Sequence, residues 1–171
     1  MNTKTLLTIF AVVFSFLLKA EPSDSTKNTV TPGIINYKTG MDNSQLEKII
    51  KNQGTIIEGQ LGFWRFKLGN RELTIVTDEA HNRMRIMTPI IERKNIKKDQ
   101  YQELLEAMFD RALDVKYALY NDVLWSVFIH PLKELTEEQV IDALSQVFYA
   151  AHNFGESYVS TDLQFGGGEK K

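Results

Sequence analysis

The chain contains no cysteine among its 171 residues. That single absence excludes disulfides, thiolate zinc sites, cysteine nucleophiles and lipid attachment through an N-terminal cysteine. There are only three histidines, His81, His130 and His152, and none recurs at the three- or four-residue spacing of a helical metal pair. No Gly-x-x-x-x-Gly-Lys-Ser/Thr loop is present to cradle phosphates, and no Gly-x-Ser-x-Gly turn to present a serine nucleophile. Positive charge is not in excess either: 20 basic residues stand against 22 acidic ones, a net charge of −2. A nucleic-acid partner, which needs a clustered basic surface to neutralise phosphates, is therefore not expected.

What is present fits one domain with a core large enough to fold without staples. Hydrophobic residues make up 43% and charged residues 25%, near the soluble average, which argues against both disorder and a multi-span membrane protein.

Residues 1–20 place Lys4 ahead of an apolar run from Leu6 to Leu18 and end in Ala20 before Glu21-Pro22. This is the layout of a secretory signal peptide. The run falls short of the roughly 20 residues a helix needs to cross the hydrocarbon core, so a retained anchor is the weaker alternative. Removal would delete Lys4 and Lys19, leaving 18 basic against 22 acidic residues, a net charge of −4. The expected product is periplasmic or extracellular, with no stable membrane insertion. Residues 21–41, rich in Ser, Thr, Pro and Gly, read as a flexible tether, in which Ile34 to Tyr37 are either loose or a short strand lying on the domain. Residues 159–171, polar and closing in Gly166-Gly167-Gly168-Glu169-Lys170-Lys171, read as a mobile tail.

Between them, residues 42–158 carry the periodicities of a folded domain. From Phe63 to Ile91, alternation of Leu73 and Ile75 with Glu72, Thr74 and Val76, and of Met84 and Ile86 with Arg83 and Arg85, predicts strands with one face against a core. Gly69-Asn70 and Asp78 to Asn82 supply turn chemistry between them. Gly59 and Gly62 suggest a bulge or bend in the first strand before Phe63. Three helices are predicted, over 42–53, 99–113 and 136–152. Each opens on a capping-box pattern, Asp42-x-x-Gln45, Asp99-x-x-Gln102 and Thr136-x-x-Gln139, in which a cap oxygen and a Gln side chain can satisfy each other's backbone N–H. Gly54 marks the end of the first helix, and Phe154-Gly155 the neighbourhood in which the third stops. In the second helix, Tyr101, Leu104, Leu105, Met108, Phe109, Ala112 and Leu113 form an apolar stripe expected to pack on the sheet. The expected fold is α+β, an antiparallel sheet of about five strands with helices on one face, in the order α-β-β-β-α-β-β-α. Trp64, Leu73, Ile75, Ile86, Leu105, Phe109, Leu144 and Phe148 are its expected core.

The last strand, Val123 to His130, follows a hairpin turn at Tyr120-Asn121-Asp122 and is apolar on both faces: Val123, Trp125, Val127 and Ile129 alternate with Leu124 and Phe128. A strand apolar on both sides must be covered on both sides. One helical layer covers only one. The other face calls for a second copy of the chain or another polypeptide, and Leu124, Phe128 and Trp125 are the candidate interaction residues.

The segments FWRFKLGNRELTIVTDEAHNRMRIMTPI, FDRALDVKYAL, LWSVFIHPLKELTEEQV and FGESY, together with the element order, resemble the YbjN-like branch of the type III secretion chaperone superfamily over residues 42–165. The resemblance implies a non-enzymatic, commonly dimeric domain that holds a partner polypeptide. Secretion chaperones of that superfamily work in the cytosol, whereas this chain opens on an export signal, so the resemblance implies binding in another compartment.

Chemistry-bearing patterns are few. Leu73 to His81, LTIVTDEAH, looks like the Asp-Glu-Ala-His of a helicase strand, but without a phosphate loop it reads as a hairpin turn in which Asp78 caps the backbone and Glu79 faces Arg83 or Arg85. Asp78, Glu79 and His81 are the alternative reading's residues, as a metal site or the centre of an exported enzyme. Asp110 and Asp114 lie four apart and mark the wet face of their helix. His130 reads as a strand-end cap and His152 as a cation near a helix C-terminus. The run Arg93-Lys94-Asn95-Ile96-Lys97-Lys98 is either a solvated loop or a site for an anionic partner or lipid surface. The resulting expectation is an exported, homodimeric, protein-binding or chaperone-like domain with no catalytic residue, cofactor or metal.

Overall fold

The computed structural model describes residues 40–161. The signal segment, nearly all of the tether and the tail from 162 lie outside them. Ten elements follow in order: α1 (Asn43–Gln53), β1 (Thr55–Gln60), β2 (Phe63–Leu68), β3 (Arg71–Asp78), β4 (Arg83–Glu92), a 3-10 turn (Arg93–Asn95), α2 (Lys98–Asp110), β5 (Lys116–Tyr120), β6 (Val123–His130) and α3 (Glu137–His152). The strands form one antiparallel sheet in the order β1-β2-β3-β4-β6-β5, with helices on one face. The sheet thus has six strands where the sequence suggested five. The stretch read as one bent strand turns back on itself at Leu61-Gly62, where Gly62 takes φ +94°, a conformation that costs little without a Cβ. The suspected bulge is real but lies earlier, between Ile56 and Glu58.

Local chemistry fixes the turns. Asn121 and Asp122 both adopt positive φ, 49° and 56°, the primed geometry that matches the twist of a two-strand hairpin. Asn82 does the same at 53°. Asp78 accepts the His81 N–H at 3.0 Å, the turn cap expected of it. Two of the three capping boxes form as written: Asp42 accepts from Gln45 N at 2.8 Å, and Thr136 Oγ1 from Gln139 N at 3.3 Å, with Gln139 returning a bond to Thr136 N at 2.8 Å. The second helix begins a turn's fraction earlier than expected. Gln100, not Gln102, reaches back, its Oε1 accepting from Lys97 N at 2.9 Å, while Gln102 bonds Glu106 one turn on. Lysine has no acceptor to return, so this cap is half a box.

The core lies between the sheet and α3, which crosses β4 and β6 with α1 beside it. Trp64, Phe66, Leu73, Ile75, Met84 and Ile86 project from the sheet; Leu46, Ile50, Val140, Leu144 and Val147 meet them. Three hydroxyls inside this layer donate to backbone carbonyls, whereas the buried Trp64 indole N–H has no partner among the described residues. Ser126 Oγ donates to Val147 O at 3.0 Å, Tyr117 Oη to Ala150 O at 3.0 Å and Thr88 Oγ1 to Glu72 O at 2.8 Å. Arg71 donates to Ala151 O at 2.7 Å, placing a cation against the last carbonyls of α3, where the helix dipole favours it.

Several burial expectations are corrected. Leu105 and Phe109 are not core: they are 67% and 89% exposed. The helix lies beside the edge strand β5 and so buries a narrow stripe, Leu104 and Ala107, leaving the adjoining side of its apolar arc outside. Phe148 is half-buried, stacked against His152 at 5.8 Å. Met41, read as tether, is buried in the core. Val159 and Ser160, read as tail, are tied down. Ser160 donates its N–H to Arg111 O at 3.2 Å and Val159 O accepts from Asn153 Nδ2 at 2.8 Å.

Candidate interaction surfaces

Along β6 the even positions Leu124, Ser126 and Phe128 point to the helical layer and are 2%, 0% and 5% exposed. Leu124 and Phe128 are therefore core residues of a single chain, and the candidate surface assigned to them passes to the opposite face. There the odd positions lie, with Trp125 half-buried and Ile129 exposed. The inner face is thus the even one, and on the odd face Val127 is buried while Ile129 is exposed. Trp125 remains a surface candidate, its indole N–H donating to Tyr120 O at 3.2 Å.

The registers set out this outer face row by row. Phe63 pairs with Val76, Val76 with Arg85 and Arg85 with Ile129. In the next row Arg65, Thr74, Met87, Val127 and Lys116 follow one another across five strands. Val76, Met87 and Ile129 line a shallow cavity of about 260 Å³ together with Asp78, Arg83 and Arg85. On the β2 side Arg65 is clamped between Glu58 at 3.3 Å and Glu72 at 2.9 Å. Those carboxylates hold its guanidinium pKa above the ordinary value, Glu72 contributing most. Arg83, Arg85 and Lys116 form no ion pair among the described residues.

A second apolar surface gathers at the β5 margin. Tyr101, Leu105 and Phe109 are spaced four apart on α2 and become progressively more exposed, from 37% to 89%. Beside them β5, which among the described residues is an edge strand with one hydrogen-bonding side free, exposes Leu119 and Tyr120. Sequence reading missed this surface because periodicity shows that a helix has an apolar side, not how wide a strip its neighbour covers.

The acidic turn is occupied by structural bonds. Asp78 accepts the His81 backbone N–H, and its Oδ2 lies 2.7 Å from His81 Nδ1. These hydrogen bonds, the backbone one first, lower the Asp78 pKa. Glu79 does not face Arg83 or Arg85. It crosses to the start of α1 and accepts Asn43 N at 2.7 Å, so the three residues do not converge. Among the described residues no group of three or more His, Asp or Glu side chains is placed to hold a metal. His130 Nδ1 contacts Pro131 O at 2.8 Å and its ring stacks on Phe128. Asp110 pairs with Arg111 at 2.8 Å, whereas Asp114 offers its backbone N–H to Gln146; the two do not form a carboxylate pair. In the basic run, Arg93 lies 3.8 Å from Asp122 and Lys94 2.5 Å from Glu92, which neutralises half of it.

No family model and no curated protein sequence matches the chain. Solved structures do. One similar structure is a chain of the HopA1–SchA chaperone–effector complex, with a TM-score of 0.52, 11% identity, and coverage of 65% of this chain and 90% of that one. Another is that of the Yersinia pestis type III secretion chaperone SycH with a stable fragment of YscM2. It has a TM-score of 0.50 and 14% identity, covering 66% of this chain and 98% of the other. At such identities the likeness is one of architecture: the described domain has the type III secretion chaperone-like fold.

Proposed function

We propose that this protein is an exported, non-catalytic, chaperone-like protein that binds a partner polypeptide and works as a homodimer through α2 and β5. The observation that carries the reading is the Tyr101–Leu105–Phe109 row beside the free edge of β5. A phenylalanine that is 89% exposed on a helix leaves an area of order 150–250 Å² of aromatic surface in water. A two-fold axis placed against this margin would cover the row with its own copy, since an isologous contact uses one patch twice. The similar folds in chaperone–effector and chaperone–fragment complexes support a polypeptide as the second partner. Export rests on residues 1–20, where a short apolar run follows Lys4; among the described residues no helix is long and apolar enough to cross a membrane. An enzyme built on Asp78, Glu79 and His81 is disfavoured because Glu79 is committed to capping α1.

Light scattering of the purified protein should give twice the protomer mass. Mass spectrometry of protein recovered from the producing cell should find a chain beginning near Glu21. A protomer mass at every concentration tested would remove the dimer, and an intact Met1 would remove signal cleavage.

A further inference from the structure

We propose that the outer face of β3, β4 and β6 receives an extended polypeptide segment that is both apolar and acidic. The proposal rests on the binding reading above and names the partner's chemistry. Apolar and cationic side chains are interspersed on this face. Arg85 stands in register between Val76 and Ile129, and Met87 and Val127 lead across to Lys116. An extended segment laid over them meets each row in turn, with neighbouring rows separated as alternate residues of a strand are.

Charge selects the occupant. In a chain of net charge −2 this region nevertheless carries three cations, Arg83, Arg85 and Lys116, that form no ion pair among the described residues. Arg65 on the same face is, by contrast, held by both Glu58 and Glu72. Asp78 stands in register opposite Arg83 and keeps its negative charge while hydrogen-bonded to His81, so the charge that selects the occupant is that of Arg85 and Lys116. A second copy is a poor occupant, because a two-fold contact here would set like charges against each other at a cost of several kcal/mol. A bilayer fits less well than a peptide: Val127 is only 7% exposed and Met87 half-buried, so the exposed apolar surface is confined to Val76 and Ile129, on either side of Arg85.

The test uses the full-length protein and a fluorescent peptide about ten residues long, the upper length of a common strand, alternating glutamate with leucine and phenylalanine. A second peptide carries lysine for glutamate, and phosphatidylglycerol vesicles serve as a third probe. The glutamate peptide should bind, the lysine peptide should not, and Arg85→Glu should weaken binding by about tenfold or more, as loss of a charge-assisted contact does. Lys116→Glu, on a different strand, should weaken it in the same direction, so a misfolded Arg85 variant does not decide the matter. Equal binding of the two peptides, binding unchanged in both variants, or capture of vesicles in preference to peptide would each overturn the proposal. Light scattering on the same samples reads the dimer separately. A dimer that holds the lysine peptide as well as the glutamate one would refute the acidic partner and leave the binding reading standing; a dimer whose mass falls on Arg85→Glu would show that a second copy occupies the face.

Discussion

Truncating Phe109 to alanine separates the protomer's own stability from whatever covers α2. In the free protomer the ring is 89% exposed, so its removal takes away almost no buried area. The loss of folding stability should stay within about 0.5 kcal/mol, the usual range for a surface site. In a two-fold contact the ring is covered, at about 1.5–3 kcal/mol per fully buried large side chain, and symmetry counts it twice. The dimer then loses roughly 3–6 kcal/mol, equivalent to a dissociation constant raised by about a hundredfold to ten-thousandfold. Sedimentation across a dilution series reads the second quantity. Urea unfolding at the most dilute point, where protomers dominate, reads the first. A loss of about 3–5 kcal/mol in the dilute protein, the cost of truncating a core phenylalanine, would mean that the helix has been misplaced. An unchanged dissociation constant would mean that α2 is not the contact.

Phe128→Asp should abolish cooperative unfolding, because the residue is 5% exposed among apolar neighbours and a carboxylate there would be buried without a partner; circular dichroism would show a normal folded spectrum if this were wrong. Thr136→Ala should lower stability by about 1 kcal/mol through loss of the cap on α3, measured as a shift in urea midpoint at unchanged slope. Asp78→Asn should remove a pH-dependent contribution. The carboxylate's folded pKa is depressed by hydrogen bonds from His81, so its stabilisation is present above the unfolded value of about 3.9 and disappears as pH falls through the lower folded value. The wild-type and variant urea midpoints should therefore differ near neutrality and converge in strong acid; a gap that widens on acidification would contradict the assignment.

The sequence by itself determined those features whose physics is local. Asp42 and Thr136 cap their helices because the oxygen and the Gln that answers it lie three residues apart in the chain. The Asn121-Asp122 hairpin and the Asp78 turn form because these side chains tolerate positive φ or bond their own backbone. Alternation identified Leu73, Ile75, Met84 and Ile86 as one face of a sheet, and all four are buried. Even the α+β class follows, since the order of periods restricts which layers can pack. What only the tertiary structure decided was which of two apolar sides faces inward. Leu124 and Phe128 alternate with Trp125, Val127 and Ile129 in a strand that reads alike from either side. The choice fell to α3, whose backbone carbonyl at Val147 receives Ser126 Oγ on the even face. For α2 the chain specifies an apolar arc, but its place beside β5, at the edge of the sheet, limits how much of that arc can be covered. Leu104 and Ala107 therefore went in while Leu105 and Phe109 stayed out. Burial is a property of a pair of surfaces, and the sequence of one element encodes only its own.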